Sequence, residues 1–146
     1  MMLEVSMSGN VAQVGVGERL RPPGPSVLVV DDEPGIASLL ADLLELDGYR
    51  VATAPNGRAA LDRLQAGGFD AIVSDVRMPE LDGPGLYREV ERLDPALAHR
   101  MVFVTGNVFT DDTADFFAAT GAPWLRKPFA LGDVQRVLQQ VLALSR

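Results

Sequence analysis

Val27-Leu28-Val29-Val30-Asp31-Asp32-Glu33-Pro34 is the stretch that decides the fold. Four branched apolar residues in a row, without alternation, read as a strand buried on both faces. The run ends on two adjacent carboxylates, and Pro34 suits the first turn of a helix. Ile36, Leu39, Leu40, Leu43 and Leu44 then recur at helical spacing on one face, up to a stop at Gly48. A buried strand running straight into an amphipathic helix opens a parallel α/β unit.

The same alternation continues outward from that stretch. A second, less apolar strand runs from Tyr49 and Arg50 to Ala54, and Asn56 is placed to cap a helix carrying Ala60, Leu61 and Leu64 that ends at Gly67-Gly68. Phe69 to Ser74, centred on Ala71-Ile72-Val73, is a third strand, followed by a loop and a helix around Leu86 to Leu93. Met101-Val102-Phe103-Val104 is the fourth strand, with His99 exposed in the loop before it. Thr110 caps a helix containing Phe116 and Phe117, which with Phe109 are assigned to core or partner surface. Trp124-Leu125 is a short fifth strand, with Trp124 expected to pack in the core. Leu131, Val134, Val137, Leu138, Val141 and Leu142 define the last helix. Five strands alternating with five helices predict an α/β, doubly wound, five-stranded parallel sheet with helices on both faces.

Residues 1–25 stand apart. Val5, Met7, Val11, Val14 and Val16 alternate weakly among Gly and Ser before Arg21-Pro22-Pro23-Gly24-Pro25. The segment reads as an N-terminal linker or extension, with a hairpin turning at Ser8-Gly9-Asn10 as the competing reading. The stiff Pro-rich boundary places the domain at residues 26–146. The 146 residues, 47% of them hydrophobic and 23% charged, suit one folded domain that needs no disulfide or structural metal. With no cysteine and one histidine, a disulfide scaffold, a thiolate zinc site, a His-based metal cage and a Ser-His-Asp triad are all excluded. The net charge of −7 offers nothing to nucleic acid or anionic lipid. No apolar run spans a membrane and no secretory leader pattern is present, so a cytoplasmic location is expected.

In an open parallel sheet, ligands bind at the carboxyl ends of the strands. The polar residues there are Asp31 and Asp32 after the first strand, Asp75 after the third, Thr105 after the fourth and Lys127 after the fifth. Clustered carboxylates either raise one another's pKa or recruit a cation. Oxygen ligands in a hydrated cleft suit Mg²⁺. A carboxylate beside such an ion can attack phosphorus and become an aspartyl phosphate, with Lys127 and Thr105 compensating the phosphoryl charge. Lys127 is the single lysine among 13 basic residues, and a compact ammonium fits a tight pocket better than a guanidinium.

Four separated motifs carry a family resemblance: Val29-Val30-Asp31-Asp32-Glu33-Pro34; Asp70 to Pro79 with Asp82-Gly83; Val104-Thr105-Gly106; and Lys127-Pro128-Phe129. In this order they resemble the receiver domains of response regulators in two-component signalling, from about Ser26 to the C-terminus. The resemblance implies a flavodoxin-like strand order 2-1-3-4-5, the order of the chemotaxis receivers. It implies Asp75 as phosphoacceptor and Asp31, Asp32, Asp75 and the backbone carbonyl of Arg77 as Mg²⁺ ligands. Thr105 and Lys127 would contact the phosphoryl group, Gly106 would leave room for it, and a cis bond would join Lys127 to Pro128. The fifth-strand position usually held by Tyr or Phe, which reorients on activation, is Trp124 here. The stretch Thr120 to Phe129 is also similar to receivers attached to hybrid histidine kinases.

The implied partners are a histidine kinase or histidine phosphotransfer protein and an output protein or domain, with a homodimer as a further candidate assembly. The implied chemistry is limited to the domain's own phosphorylation and dephosphorylation. Two other classes fit less well. An aspartyl-nucleophile phosphatase would need a second Asp two residues after the first, where Arg77 stands. A phosphorylation-independent pseudo-receiver would lack one of the five site residues, and all five are present.

Overall fold

The computed structural model describes residues 24–106 and 110–144. The weakly alternating stretch before Gly24, with its linker and hairpin readings, lies outside these residues, as do Asn107 and Phe109. Five strands, β1 (Ser26–Val30), β2 (Arg50–Ala54), β3 (Ala71–Asp75), β4 (Met101–Thr105) and β5 (Trp124–Arg126), form one sheet in the order β2-β1-β3-β4-β5. All neighbours are parallel, as the alternation with helices requires. The helices are α1 (Pro34–Leu46), α2 (Gly57–Gln65), α3 (Gly83–Leu93), α4 (Asp111–Thr120) and α5 (Leu131–Leu142).

Alternation along the strands sends side chains to two cores. Leu28, Val30, Ile72, Met101 and Phe103 face α2, α3 and α4, meeting Leu61, Leu86, Val90 and Phe117. Val27, Val29, Ala71, Val73, Val102 and Val104 face α1 and α5, meeting Leu40, Leu44, Val134 and Leu138. Every residue of β3 and β4 is buried, which explains why those strands read as unbroken apolar runs. On the first face Phe103 meets Phe116 and Phe117 edge-on, with ring centroids 5.4 and 5.6 Å away.

The cap expectations hold at two helices: the Asn56 side chain accepts the Ala59 N–H, and Thr110 accepts that of Thr113. Several boundaries differ from the sequence expectation. The third strand is Ala71–Asp75, so the site carboxylate ends the strand itself. Helix α3 begins at Gly83, because the Asp82 side chain accepts the Gly85 N–H. A single helical turn, Pro95–Ala98, follows α3 where a loop was expected, held by the Asp94 side chain accepting from Leu97 N–H. His99 ends that turn and is exposed, as expected. On α1 the buried stripe is Ala37, Leu40 and Leu44, while Leu39 is 55% exposed. Trp124 is also corrected: its ring leans on Phe117 but remains 40% exposed at the sheet edge.

Candidate functional site

The strand order reverses at β1, leaving a crevice at the carboxyl ends of β1 and β3. Asp31 follows β1 directly, and its backbone N–H donates to the Ala54 carbonyl, extending the β1–β2 pairing by one residue. Its Oδ1 accepts the N–H of Glu33 at 2.9 Å. The N-cap of α1 is Glu33, with no side-chain cap bond, so neither Asp31 nor Asp32 serves as that cap. Asp75 ends β3, with Oδ1 accepting the Val76 N–H at 2.8 Å. Ser74 Oγ donates to the Asp75 carbonyl, fixing the backbone beneath the carboxylate.

Lys127 is brought in from the far side of the sheet. Its backbone N–H donates to the Thr105 carbonyl at 2.8 Å, and its bond to Pro128 is cis, as the resemblance implies. The ammonium Nζ then lies 3.3 Å from Asp31 Oδ2, 3.5 Å from Asp75 Oδ2 and 3.5 Å from Glu33 Oε1. Thr105 ends β4 and is buried. The structure therefore gathers Asp31, Asp75 and Lys127 in direct contact, with Thr105 beside Lys127. Asp32 and the Arg77 side chain are exposed at the mouth. At Gly106 an added Cβ would meet only the Lys127 side chain, at 3.5 Å, so that position is open.

The electrostatics follow from crowding. Burial and then the Asp31 charge push the Asp75 carboxyl up to about 6, against the opposing pull of Lys127 and the Val76 N–H. For Lys127 burial acts against the ammonium, but Asp75, Asp31 and Glu33 outweigh it and raise its pKa. Asp31, Asp32 and Asp75 each offer an oxygen, and the three lie within 4.8 Å of one another. These carboxylates are close enough together that they would share one Mg²⁺, an ion that keeps several waters. The donor set, all hard oxygen and partly exposed, fits that ion.

Sequence reasoning gave no role to Glu33 or Gly83, although both stood in the quoted motifs. Glu33 is the third carboxylate on Lys127. Gly83 lies where a Cβ would sit 2.7 Å from the Asp75 carbonyl and 3.0 Å from Val76 Cα. The signal for Gly83 was its place one residue after a helix-capping Asp, where close backbone approach is common.

A parallel α/β sheet with an acidic, lysine-bridged pocket at its switch point defines the class of protein. The family model for the response regulator receiver domain matches residues 27–139, and the chain belongs to that family. It is 34% identical over 116 residues to the response regulator receiver protein CpdR of Brucella abortus (strain 2308), covering 80% of this chain and 95% of that one. To the transcriptional regulatory protein ZraR of Escherichia coli (strain K12) it is 36% identical over 118 residues, covering 80% of this chain but only 26% of ZraR. The chain thus spans about a quarter of that longer relative's length. Among solved structures, the chemotaxis protein CheY4 of Vibrio cholerae superposes with a TM-score of 0.72 at 32% identity, covering 81% of this chain and 98% of that one. The response regulator TrrA of Thermotoga maritima, solved in complex with Mg²⁺-BeF, gives 0.69 at 27% identity, covering 80% and 98%. The chain is a receiver domain of two-component signalling, a signalling module whose family binds Mg²⁺ at an acidic pocket such as that of Asp31, Asp32 and Asp75. Among the described residues, no helix is long and apolar enough to cross a membrane.

Proposed function

We propose that Asp75 accepts a phosphoryl group from the phosphohistidine of a histidine kinase or histidine phosphotransfer protein. Asp31, Asp32, Asp75 and the backbone carbonyl of Arg77 would hold the Mg²⁺ that this step requires. The observation that carries the reading is the meeting of two buried carboxylates with one ammonium, Lys127 being 3.3 Å from Asp31 and 3.5 Å from Asp75. Asp75 Oδ2 attacks phosphorus; an O–P bond forms, the N–P bond breaks, and the imidazole leaves with the electron pair. Lys127 exchanges a carboxylate partner for a phosphoryl oxygen, and the Thr105 hydroxyl donates to another. Bound Mg²⁺ supplies the positive charge that offsets the carboxylates and the incoming oxygens.

Asp75 is the nucleophile only as its carboxylate. Burial and the Asp31 charge hold its carboxyl at about 6, while Lys127 and the Val76 N–H favour the charged, nucleophilic form. The chemistry is confined to the domain's own modification and hydrolysis. The added charge biases a two-state element that an output protein or domain reads, with a second copy of the chain as a further candidate partner. Residues 1–25 are assigned as a linker to the domain that starts at Ser26, and the location as cytoplasmic. The presence of Asp31, Asp32, Asp75, Thr105 and Lys127 together favours this reading over a phosphorylation-independent module.

Incubation with a small acyl phosphate and Mg²⁺, followed by intact-mass measurement, tests it. One added phosphoryl group is expected on the native chain and none on Asp75→Asn. Modification that persists in Asp75→Asn, or that needs no divalent ion, overturns the assignment.

A further inference from the structure

The ammonium of Lys127 has three N–H donors and no acceptor. Three carboxylates meet it, Asp31 at 3.3 Å, Asp75 at 3.5 Å and Glu33 at 3.5 Å. Their surroundings differ: the Asp31 and Asp75 side chains are 1% and 10% exposed, and that of Glu33 is 64% exposed. Their duties differ as well. Once Asp75 is modified, its Oδ2 is the oxygen bonded to phosphorus and no longer a free carboxylate oxygen. Asp31 belongs to the set that would hold Mg²⁺. Glu33 has neither duty, so it is the carboxylate left to compete with the phosphoryl oxygens for Lys127.

The backbone fixes this competitor in place. Glu33 is the N-cap of α1: its carbonyl accepts the N–H groups of Ile36 and Ala37 at 3.1 and 3.0 Å, and its own N–H donates to Asp31 Oδ1 at 2.9 Å. Asp, Asn, Ser and Thr are the usual N-caps, because a short side chain turns back onto a first-turn N–H. Glu is one methylene longer than Asp. The Glu33 side chain makes no cap bond and reaches Lys127 instead.

We infer that Glu33 is a positioning residue that sets how tightly the pocket holds a phosphoryl group, by competing with its oxygens for Lys127. The role rests on the reading of Asp75 as phosphoacceptor and deepens it. Its sign is specific. The Glu33 charge opposes an anion in the pocket and favours a cation there, and without it Lys127 turns wholly to the remaining oxyanions. Removing that charge therefore tightens the hold on a phosphoryl group and loosens the hold on Mg²⁺. Simple loosening of the fold would weaken both.

The test is an amide chemical-shift titration of the whole chain, first with Mg²⁺ alone and then with beryllofluoride at saturating Mg²⁺. Glu33→Gln, nearly isosteric and at an exposed side chain, should bind beryllofluoride about threefold tighter and Mg²⁺ about threefold weaker, the size expected of an exposed ion pair. Glu33→Asp keeps the charge but is drawn back to cap α1, so it should melt higher and also bind beryllofluoride more tightly than the native chain. If Glu33→Asp binds beryllofluoride as the native chain does while Glu33→Gln binds it more tightly, charge at the mouth is the whole effect, and competition for Lys127 is overturned. A native chain that binds beryllofluoride, with Glu33→Gln binding it equally or less well, overturns the role alone. A native chain that binds none overturns the reading of Asp75 and this role with it.

Discussion

The two ends of the sheet solve the burial of charge in opposite ways. At the carboxyl end, Asp31, Glu33 and Asp75 share one ammonium, so negative charge is in excess. At the amino end, Arg100 is buried at 3% exposure, and it lines one cleft with Arg50 and Asp70. Close backbone approach occurs at both ends: at Gly24, before β1, an added Cβ would lie 1.9 Å from the Gly48 carbonyl. Gly83 and Gly57 at the carboxyl end have backbone where a Cβ would go, 2.7 Å from the Asp75 carbonyl and 2.4 Å from the Leu81 carbonyl respectively. Gly48 and Gly67 at the amino end meet nothing and are there for positive φ, +97 and +80. The amino end combines one such contact with open turns at positive φ, whereas the carboxyl end sets Gly83 directly against the Asp75 backbone. The contrast teaches that a glycine is required either for a backbone angle or for close approach, and that at Gly83 the close approach lies directly under the site carboxylate.

The largest expected effect breaks the packing difference. Gly83→Val puts a branched carbon against the Asp75 carbonyl, Val76 Cα and the Phe103 ring at 3.1 Å. Relief requires moving the start of α3, and the expected cost is about 3 kcal/mol in chemical denaturation. Gly67→Asn keeps a residue tolerant of positive φ in open space and should cost less than about 1 kcal/mol. Equal losses in the two variants would remove the distinction.

The second effect concerns the excess negative charge. The folded pKa of Asp75, about 6, stands above its unfolded value of 3.8, so its charged form is disfavoured in the native state. Its contribution is therefore neutral below pH 3.8, turns unfavourable as pH rises between 3.8 and 6, and is fully unfavourable above 6. The groups facing it are Asp31, Asp32, Glu33 and Lys127. In chelator at pH 8, Asp75→Asn should be more stable than the native chain by about 2 kcal/mol, allowing for solvent screening at the pocket mouth. Below pH 4 the two should converge. Millimolar Mg²⁺ should raise the native melting temperature at pH 8, and by less in Asp75→Asn, which offers one carboxylate fewer. A native chain indifferent to Mg²⁺ would count against the three-carboxylate site.

What could be read from the sequence follows the same division. Unbroken apolar runs reported β1, β3 and β4 because both their faces are covered, and the polar residues that end them reported the pocket. Strand order and the cis bond came with the family resemblance, since local patterns carry neither. Leu39 was misplaced because helical spacing defines a stripe without fixing which edge of it meets the sheet. The turn at Pro95–Ala98 was too short to show a period, although Asp94-Pro95 is a helix-starting pair. Arg100 was invisible for another reason: in a chain with 12 arginines nothing local distinguishes a buried one. Trp124 was assigned to the core by its size, whereas an edge strand leaves one side of a large ring in water.

That position gives the smallest effect and the finest test of how far the carboxyl-end site reaches. Trp124 pairs in register with Phe103, two residues before Thr105 on β4, and its ring lies 5.9 Å from that of Phe117. Phe117 in turn meets Phe103 edge-on. A shift of Thr105 toward a phosphoryl group therefore needs to pass through only one strand segment and two rings to alter the indole's surroundings. At 40% exposure the indole is partly in water, and its emission should change in intensity or shift to shorter wavelength if it becomes more buried. With a single tryptophan in the chain, no second indole obscures the signal. Beryllofluoride with Mg²⁺, as a phosphoryl mimic, holds the modified state long enough to measure. Thr105→Ala should keep Mg²⁺ binding, because the hydroxyl is not among the metal-facing oxygens, yet blunt the emission change. If beryllofluoride binds and the native emission stays constant, Trp124 is packing alone, and the switch leaves the site by a route that avoids β5.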